Sequence, residues 1–238
     1  ALAQQLWQAE QRLQQTEPGQ LIDMSAEALA QRQQQRLGWQ RKLEQFDVSA
    51  LSEQNRINHA ILSYRLADKI DEYRFGAHLM PLTSESGFHS SLGFLAQRSA
   101  LRSLADYQNY IRQLAAIPRY MQQQTDWMRQ GLATGMTQPK AVLAGFEQSI
   151  ISYVAADPTQ SVFFQPFRTQ PAYISEQEWL QLQADAKQQA RQHTGQFDRS
   201  RATQQHGHLD AIGRHRGHHS GFDIVPTRGV DQGRGLLL

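Results

Sequence analysis

Apolar residues recur at intervals of three and four through most of residues 1–192, and nowhere do apolar and polar residues alternate long enough to build a sheet. A period near 3.6 lines such residues along one side of a helix, whereas a half-buried strand needs a period of two. The pattern predicts an all-α fold: a multi-helix bundle of six or seven helices, two long aromatic-rich loops and a disordered C-terminal tail.

The helices can be placed from stripes and end signals. Leu2, Leu6, Ala9 and Leu13 stripe a first helix, which Glu17-Pro18-Gly19 ends. Ser25 caps a second, running to about Phe46, with Leu29, Leu37, Leu43 and Phe46 facing inward. A third, from about Ser52 to Tyr73, turns Ile57, Ala60, Ile61, Tyr64 and Ile70 inward. Residues 75–102 mix Gly, Pro, Ser and aromatics without helical period and read as a long irregular loop of the kind that often lines a site. Ser103 and Asp106 then open a helix carrying Leu104, Tyr107, Ile111 and Leu114. Pro118 suits the first turn of a separate helix with Met121, Thr125, Met128 and Leu132, frayed at Gly131 and Gly135. Pro139 opens another, with Val142, Leu143, Phe146, Ile150 and Val154 on its apolar face. Residues 159–174, with Phe163, Phe164, Phe167 and Tyr173, read as an aromatic loop lying over the bundle. Ser175 and Glu178 form a capping box for a last helix, 176–192.

A chain of 238 residues is long enough for one large or two small domains with a buried core. No apolar run reaches the roughly 18 residues of a membrane span, so no transmembrane segment is expected. The absence of cysteine removes disulfides, thiol nucleophiles and zinc–thiolate sites. Residues 193–238 hold 6 Arg and 4 Asp of the chain's 24 Lys+Arg and 22 Asp+Glu, leaving 18 of each before them. The body is therefore neutral, which argues against a groove for nucleic acid, because neutralising phosphates takes clustered Lys and Arg. The opening Ala1-Leu2-Ala3-Gln4 carries no basic region or apolar core of a signal peptide, so no complete targeting segment is read.

The chain divides into a helical domain, 1–192, and a Gly/His/Arg-rich tail, 193–238. Six of the nine His and eight of the 16 Gly lie in the tail. His206, His208, His215, His218 and His219 are close enough in sequence to chelate a cation adventitiously. Against an evolved site, such sequence has too little apolar area to offset chain entropy and stays disordered. The abrupt change of composition also matches translation out of frame.

Three stretches carry a resemblance. Ala105-Asp106-Tyr107-Gln108-Asn109-Tyr110-Ile111-Arg112-Gln113-Leu114 is followed by Ile117-Pro118-Arg119-Tyr120, and then by residues Met128 to Lys140, with Arg129, Gly131, Gly135 and Pro139 in fixed order. In that order they resemble the amino-terminal half of the bacterial domain-of-unknown-function 885 family, and the likeness extends loosely from the first helix to about Gln189. The resemblance implies a mostly helical bacterial protein, periplasmic or membrane-anchored as a lipoprotein. It also implies that intact relatives are zinc-dependent metallopeptidases acting on peptides, with a His-Glu … Gly-His type motif in a carboxy-terminal half. Here no His is followed by Glu, so no zinc ligand set with its general base can be assigned and no cofactor is expected in this chain. The expectation is a truncated, non-catalytic fragment. A helical interaction module and a His-rich metal-binding protein acting through its tail are the alternatives.

Few residues qualify as a site. His78, His89 and Arg74 are candidates for a cleft wall contacting a peptide, with loop packing as the plainer reading. Arg129 with Gly131, Gly135 and Pro139 suggests a tight turn. Asp68, Asp71 and Glu72 read as a solvated helix face, and Trp7, Trp39, Trp127 and Trp179 as core or interface anchors. No catalytic residue is assigned. Helices awaiting a missing half would leave apolar stripes uncovered, so self-association is expected.

Overall fold

The computed structural model of the chain describes residues 2–83, 86–143, 148, 153 and 155–191. Among them the regular structure is helical: α1 (Leu2–Leu13), α2 (Ala26–Glu44), α3 (Glu53–Arg74), two single turns α4 (Ser90–Gly93) and α5 (Leu95–Arg98), the long α6 (Leu104–Thr134), and α7 over 176–191. The only β feature among the described residues is an isolated antiparallel bridge, Leu82 to Gly87.

The helix starts follow their caps. Ser25 Oγ accepts from the Ala28 amide at 3.3 Å and Ser52 Oγ from the Asn55 amide at 3.4 Å. At α7 the box is reciprocal: the Glu178 amide donates to Ser175 Oγ at 3.4 Å, and the Ser175 amide donates to Glu178 Oε2 at 3.0 Å. At α6 the box is half made. The Asp106 amide donates to Ser103 Oγ, but the Asp106 carboxylate takes the Arg102 amide.

Two apolar cores result. The smaller joins α1, α2 and α3 through Leu6, Leu43, Leu62 and Leu66, with half-buried Trp39 against them. The His59 ring nitrogen bonds the Leu43 carbonyl at 3.0 Å and ties α3 to α2. The larger core surrounds α6, whose buried stripe runs Tyr107, Tyr110, Leu114, Ile117, Met121. Leu82, Phe88, Leu92 and Leu95 close on it from one direction, and Phe163, Phe164, Phe167 and the α7 residues Trp179, Leu182 and Ala186 from another. Tyr110 Oη donates to the Phe163 carbonyl at 3.1 Å, satisfying a hydroxyl deep in that core.

Five expectations need correction. The predicted break at Pro118 is absent: α6 runs straight through it. Interior proline costs roughly 3 kcal/mol, but the two halves share one stripe, and burying it as a unit outweighs the lost hydrogen bond. On α3 only Ile70 of the five expected residues is buried; Ile57, Ile61 and Tyr64 are 48%, 52% and 74% exposed, and Ala60 is also exposed. The helix has two apolar stripes, and the leucine one, Leu62–Leu66–Ile70, faces the core. On α2 Leu43 is buried, Leu29 and Leu37 are half-buried, and Phe46 is exposed beyond the helix end. Pro139 is followed by a 3₁₀ segment, Lys140–Leu143, and Val142 is exposed; Phe146, Ile150 and Val154 lie outside the described residues. The two expected aromatic loops are largely core: a bridge and turns carry Leu82 to Leu95 inward, and the 3₁₀ segment Val162–Phe167 buries three phenylalanines, while Tyr173 stays exposed.

Candidate functional site

Of the candidate residues, His78 meets α6 directly, whereas His89 is linked to it through Phe88 at a different height. His78 lies in the 3₁₀ turn Ala77–Leu79 that follows α3. Its ring stacks on Tyr73 with centroids 5.2 Å apart and meets Trp127 of α6 edge-on at 4.6 Å. His89 opens α4, is 0% exposed, and meets Phe88 at 5.7 Å and Tyr153 at 6.1 Å, both edge-on. Phe88 in turn reaches Tyr120 of α6 at 6.3 Å. Tyr120 and Trp127 are two turns apart, roughly 10 Å along the axis, so the two imidazoles hold separate stations. Burial pushes both below the ordinary histidine range.

Arg74 is not gathered with them. Its side chain is 72% exposed, 3.7 Å from Asp71, with its guanidinium over Phe75 at 5.2 Å. Asp71 and Glu72 are taken up by Arg74 and Lys69, and Asp68 is exposed, as a solvated helix face requires. Trp179 is a core residue, Trp39 and Trp127 are half-buried, and Trp7 lies under the Arg65 guanidinium at 4.5 Å.

The turn after α6 has a definite cause. Gly135 takes a left-handed conformation, φ 76°, and the Met136 amide returns to the Gly131 carbonyl at 2.9 Å. A Cβ on Gly131 would lie 2.6 Å from the Met136 carbonyl oxygen and 2.8 Å from that of Leu79. Glycine here lets the His78 turn press against α6. Arg129 stands apart, paired with Asp126 at 2.9 Å.

Polar residues unmarked in the sequence reading prove to organise this region. The Asp23 carboxylate accepts from the Ser25 amide, Gln123 Nε2 and Arg119 Nη2; these bonds, led by the Ser25 amide, hold its pKa below the usual value against the opposing effect of burial. The Met24 amide donates to Gln123 Oε1, and Trp127 Nε1 donates to the Met24 carbonyl at 2.7 Å. Residues 23 and 24 are thereby clamped to Arg119, Gln123 and Trp127, one turn apart along α6. Between α1 and α2, buried Glu10 holds Arg36 through a fork at 2.8–3.2 Å. A signal was available: Glu10 sits at stripe spacing with Leu6 and Leu13, and Gln33 with Leu29 and Leu37.

Among the described residues no group of three or more His, Asp or Glu could hold a metal ion. The five tail histidines lie outside the described residues. No helix among them is long and apolar enough to cross a membrane.

The family described as bacterial protein of unknown function, DUF885, matches residues 7–219. The chain belongs to the DUF885 family. The match continues past residue 192 and takes in all five tail histidines from His206 to His219. No curated protein and no solved structure matches the chain.

Proposed function

We propose that this DUF885 chain is the substrate-side helical half of a peptidase-like protein, a fragment that does not itself hydrolyse peptides. One observation carries the reading: the body's two candidate site histidines, His78 and His89, are each committed to aromatic packing, and neither precedes a glutamate. Hydrolysis by zinc needs convergent ligands, a general base and an open coordination position, which on this reading come from the carboxy-terminal half. The resemblance further supports an exported or lipid-anchored location, tested by fractionating the producing cell.

The experiment is a peptide-cleavage assay of the purified chain with added zinc, alongside metal analysis. No turnover is expected. Turnover that a chelator abolishes, with one zinc per chain, overturns the proposal. The nucleotide sequence around codons 185–240 tests the fragment reading directly: a neighbouring frame encoding helix and a downstream His-Glu motif supports it.

A helical interaction module is the second reading, and the uncovered stripe Ile57–Ile61–Tyr64 on α3 favours it. The metal-binding reading is tested by deleting residues 193–238, which must abolish any tight stoichiometric metal binding.

A further inference from the structure

The contacts around His78 close into a circuit where α2, α3 and α6 meet, between the two cores. Arg32 Nη2 of α2 donates to the Asp23 carbonyl at 2.8 Å and reaches Met24 Sδ at 3.8 Å. Met24 holds Trp127, Trp127 meets His78, and His78 stacks on Tyr73 of α3. One turn back on α3, the Ile70 carbonyl accepts from Gln33 Nε2 at 3.3 Å, and Gln33 adjoins Arg32. Every step but the two along a helix is a direct contact.

That circuit is chemically incomplete in three ways. Gln33 is 8% exposed, and its Oε1 has no hydrogen-bond partner among the described residues. The amide cannot be turned to relieve this, because Nε2 must face the Ile70 carbonyl. His78 Nδ1 is likewise shut from solvent with no hydrogen-bond partner among the described residues. Arg32 is half-buried, yet among the described residues no carboxylate pairs with it. Asp23 spends its carboxylate on Ser25, Gln123 and Arg119, and Glu10 spends its own on Arg36. Burial, and then Arg36 one turn away, lower the Arg32 pKa, while the nearby Asp23 carboxylate opposes them without pairing with it. Buried polar atoms without partners cost roughly 1–3 kcal/mol each, and a seam between two cores is a common place for a ligand to supply them.

We propose that this seam binds an acylated amino acid or the carboxyl-terminal residue of a peptide. Arg32 takes the carboxylate in its planar fork, Gln33 Oε1 accepts the ligand's amide N–H, and Tyr73, His78 and Trp127 receive an apolar side chain. Two of the three unmet groups then find a partner in one molecule, an anion for Arg32 and an N–H donor for Gln33 Oε1, beside an apolar body for the rings. The inference deepens the substrate-side reading above and rests on it for its biological sense; its test needs neither zinc nor turnover.

The test is calorimetric titration of the full chain with N-acetyl-L-phenylalanine, its methyl ester and acetate, with no metal present. The acid is expected to bind, the ester roughly tenfold or more weakly, and acetate more weakly still. Arg32→Gln is expected to remove the preference for acid over ester while leaving the ester's affinity in place. Arg32→Lys, which keeps the charge and loses the fork, is expected to fall between. Acid and ester binding equally, acetate binding as well as the acid (an adventitious ion only), no detectable binding of the acid, or an Arg32→Gln chain that still prefers the acid each overturns the proposal. If Arg32→Gln does not fold, the acid–ester contrast in the unaltered chain decides. Failure here leaves the absence of hydrolysis standing, and turnover in the cleavage assay would leave this affinity untouched.

Discussion

Gly131 and Gly38 share a residue type and have opposite roles. At Gly131 a Cβ would strike two backbone carbonyl oxygens, neither of which can move alone, whereas at Gly38 nothing lies within 4 Å. Gly131→Ala is expected to lower stability by about 1–3 kcal/mol through overpacking. Gly38→Ala in the interior of α2 is expected to raise it by about 0.5–1 kcal/mol. Denaturant midpoints of the two variants measure both, and equal shifts would contradict the close approach at the His78 turn. The histidines set a second expectation. Burial lowers the pKa of both His78 and His89, so the unfolded chain binds protons more readily. Their contribution is complete above the unfolded value, near 6.5, and is lost as pH falls through the folded values. Asp23 acts lower on the scale: its depressed pKa gives stability above the ordinary carboxylate value that disappears on further acidification. Denaturant unfolding from pH 8 to pH 5 should show a falling midpoint, and a flat profile would count against buried neutral imidazoles. At this scale the sequence was partly legible. His78 and His89 stood out in an irregular stretch, and Tyr73 is near His78 in sequence, but the partners Trp127 and Tyr153 come from distant segments. Nothing along the chain marks out Arg32, since only the fold reveals that its neighbours are already engaged.

At the scale of elements, α6 is the organising piece. Its stripe continues across Pro118, so the helix tolerates a missing donor for the sake of one shared core. Pro118→Ala is therefore expected to stabilise the chain by about 1–3 kcal/mol, the restored helix offsetting the freer unfolded state. A loss of stability would mean that the proline ring itself is needed in the packing. Caps were readable because they are local: Ser25, Ser52 and Ser175 act within three residues of themselves. The choice between the two stripes of α3 was not. Either would suit an amphipathic helix, and the decision lies in which one α1 and α2 can cover.

For the whole molecule, the two cores differ in extent, and α1–α3 lean on a cluster of four buried leucines and a part-buried ion pair. Hydrogen exchange should accordingly open α1–α3 before the central turns of α6. Uniform exchange across both would indicate a single cooperative unit. Glu10→Gln leaves the part-buried Arg36 without its carboxylate, an expected cost of about 1–3 kcal/mol, much of which Glu10→Met with Arg36→Met should recover. Thermal melts of the single and double variants check this. The stripe of Ile57, Ile61 and Tyr64 adds an expectation of concentration-dependent association, weakened by Ile61→Lys, which sedimentation would reveal.

The all-α class, the helix caps and the DUF885 membership follow from residues taken along the chain, because periodicity, capping and motif order are properties of near neighbours. Which stripe is buried, why Pro118 does not break α6 and how Arg32, Gln33 and His78 come to share one seam depend on segments up to a hundred positions apart. Those outcomes were decided only when the cores closed, because burial and unmet hydrogen bonds exist only between parts that have met.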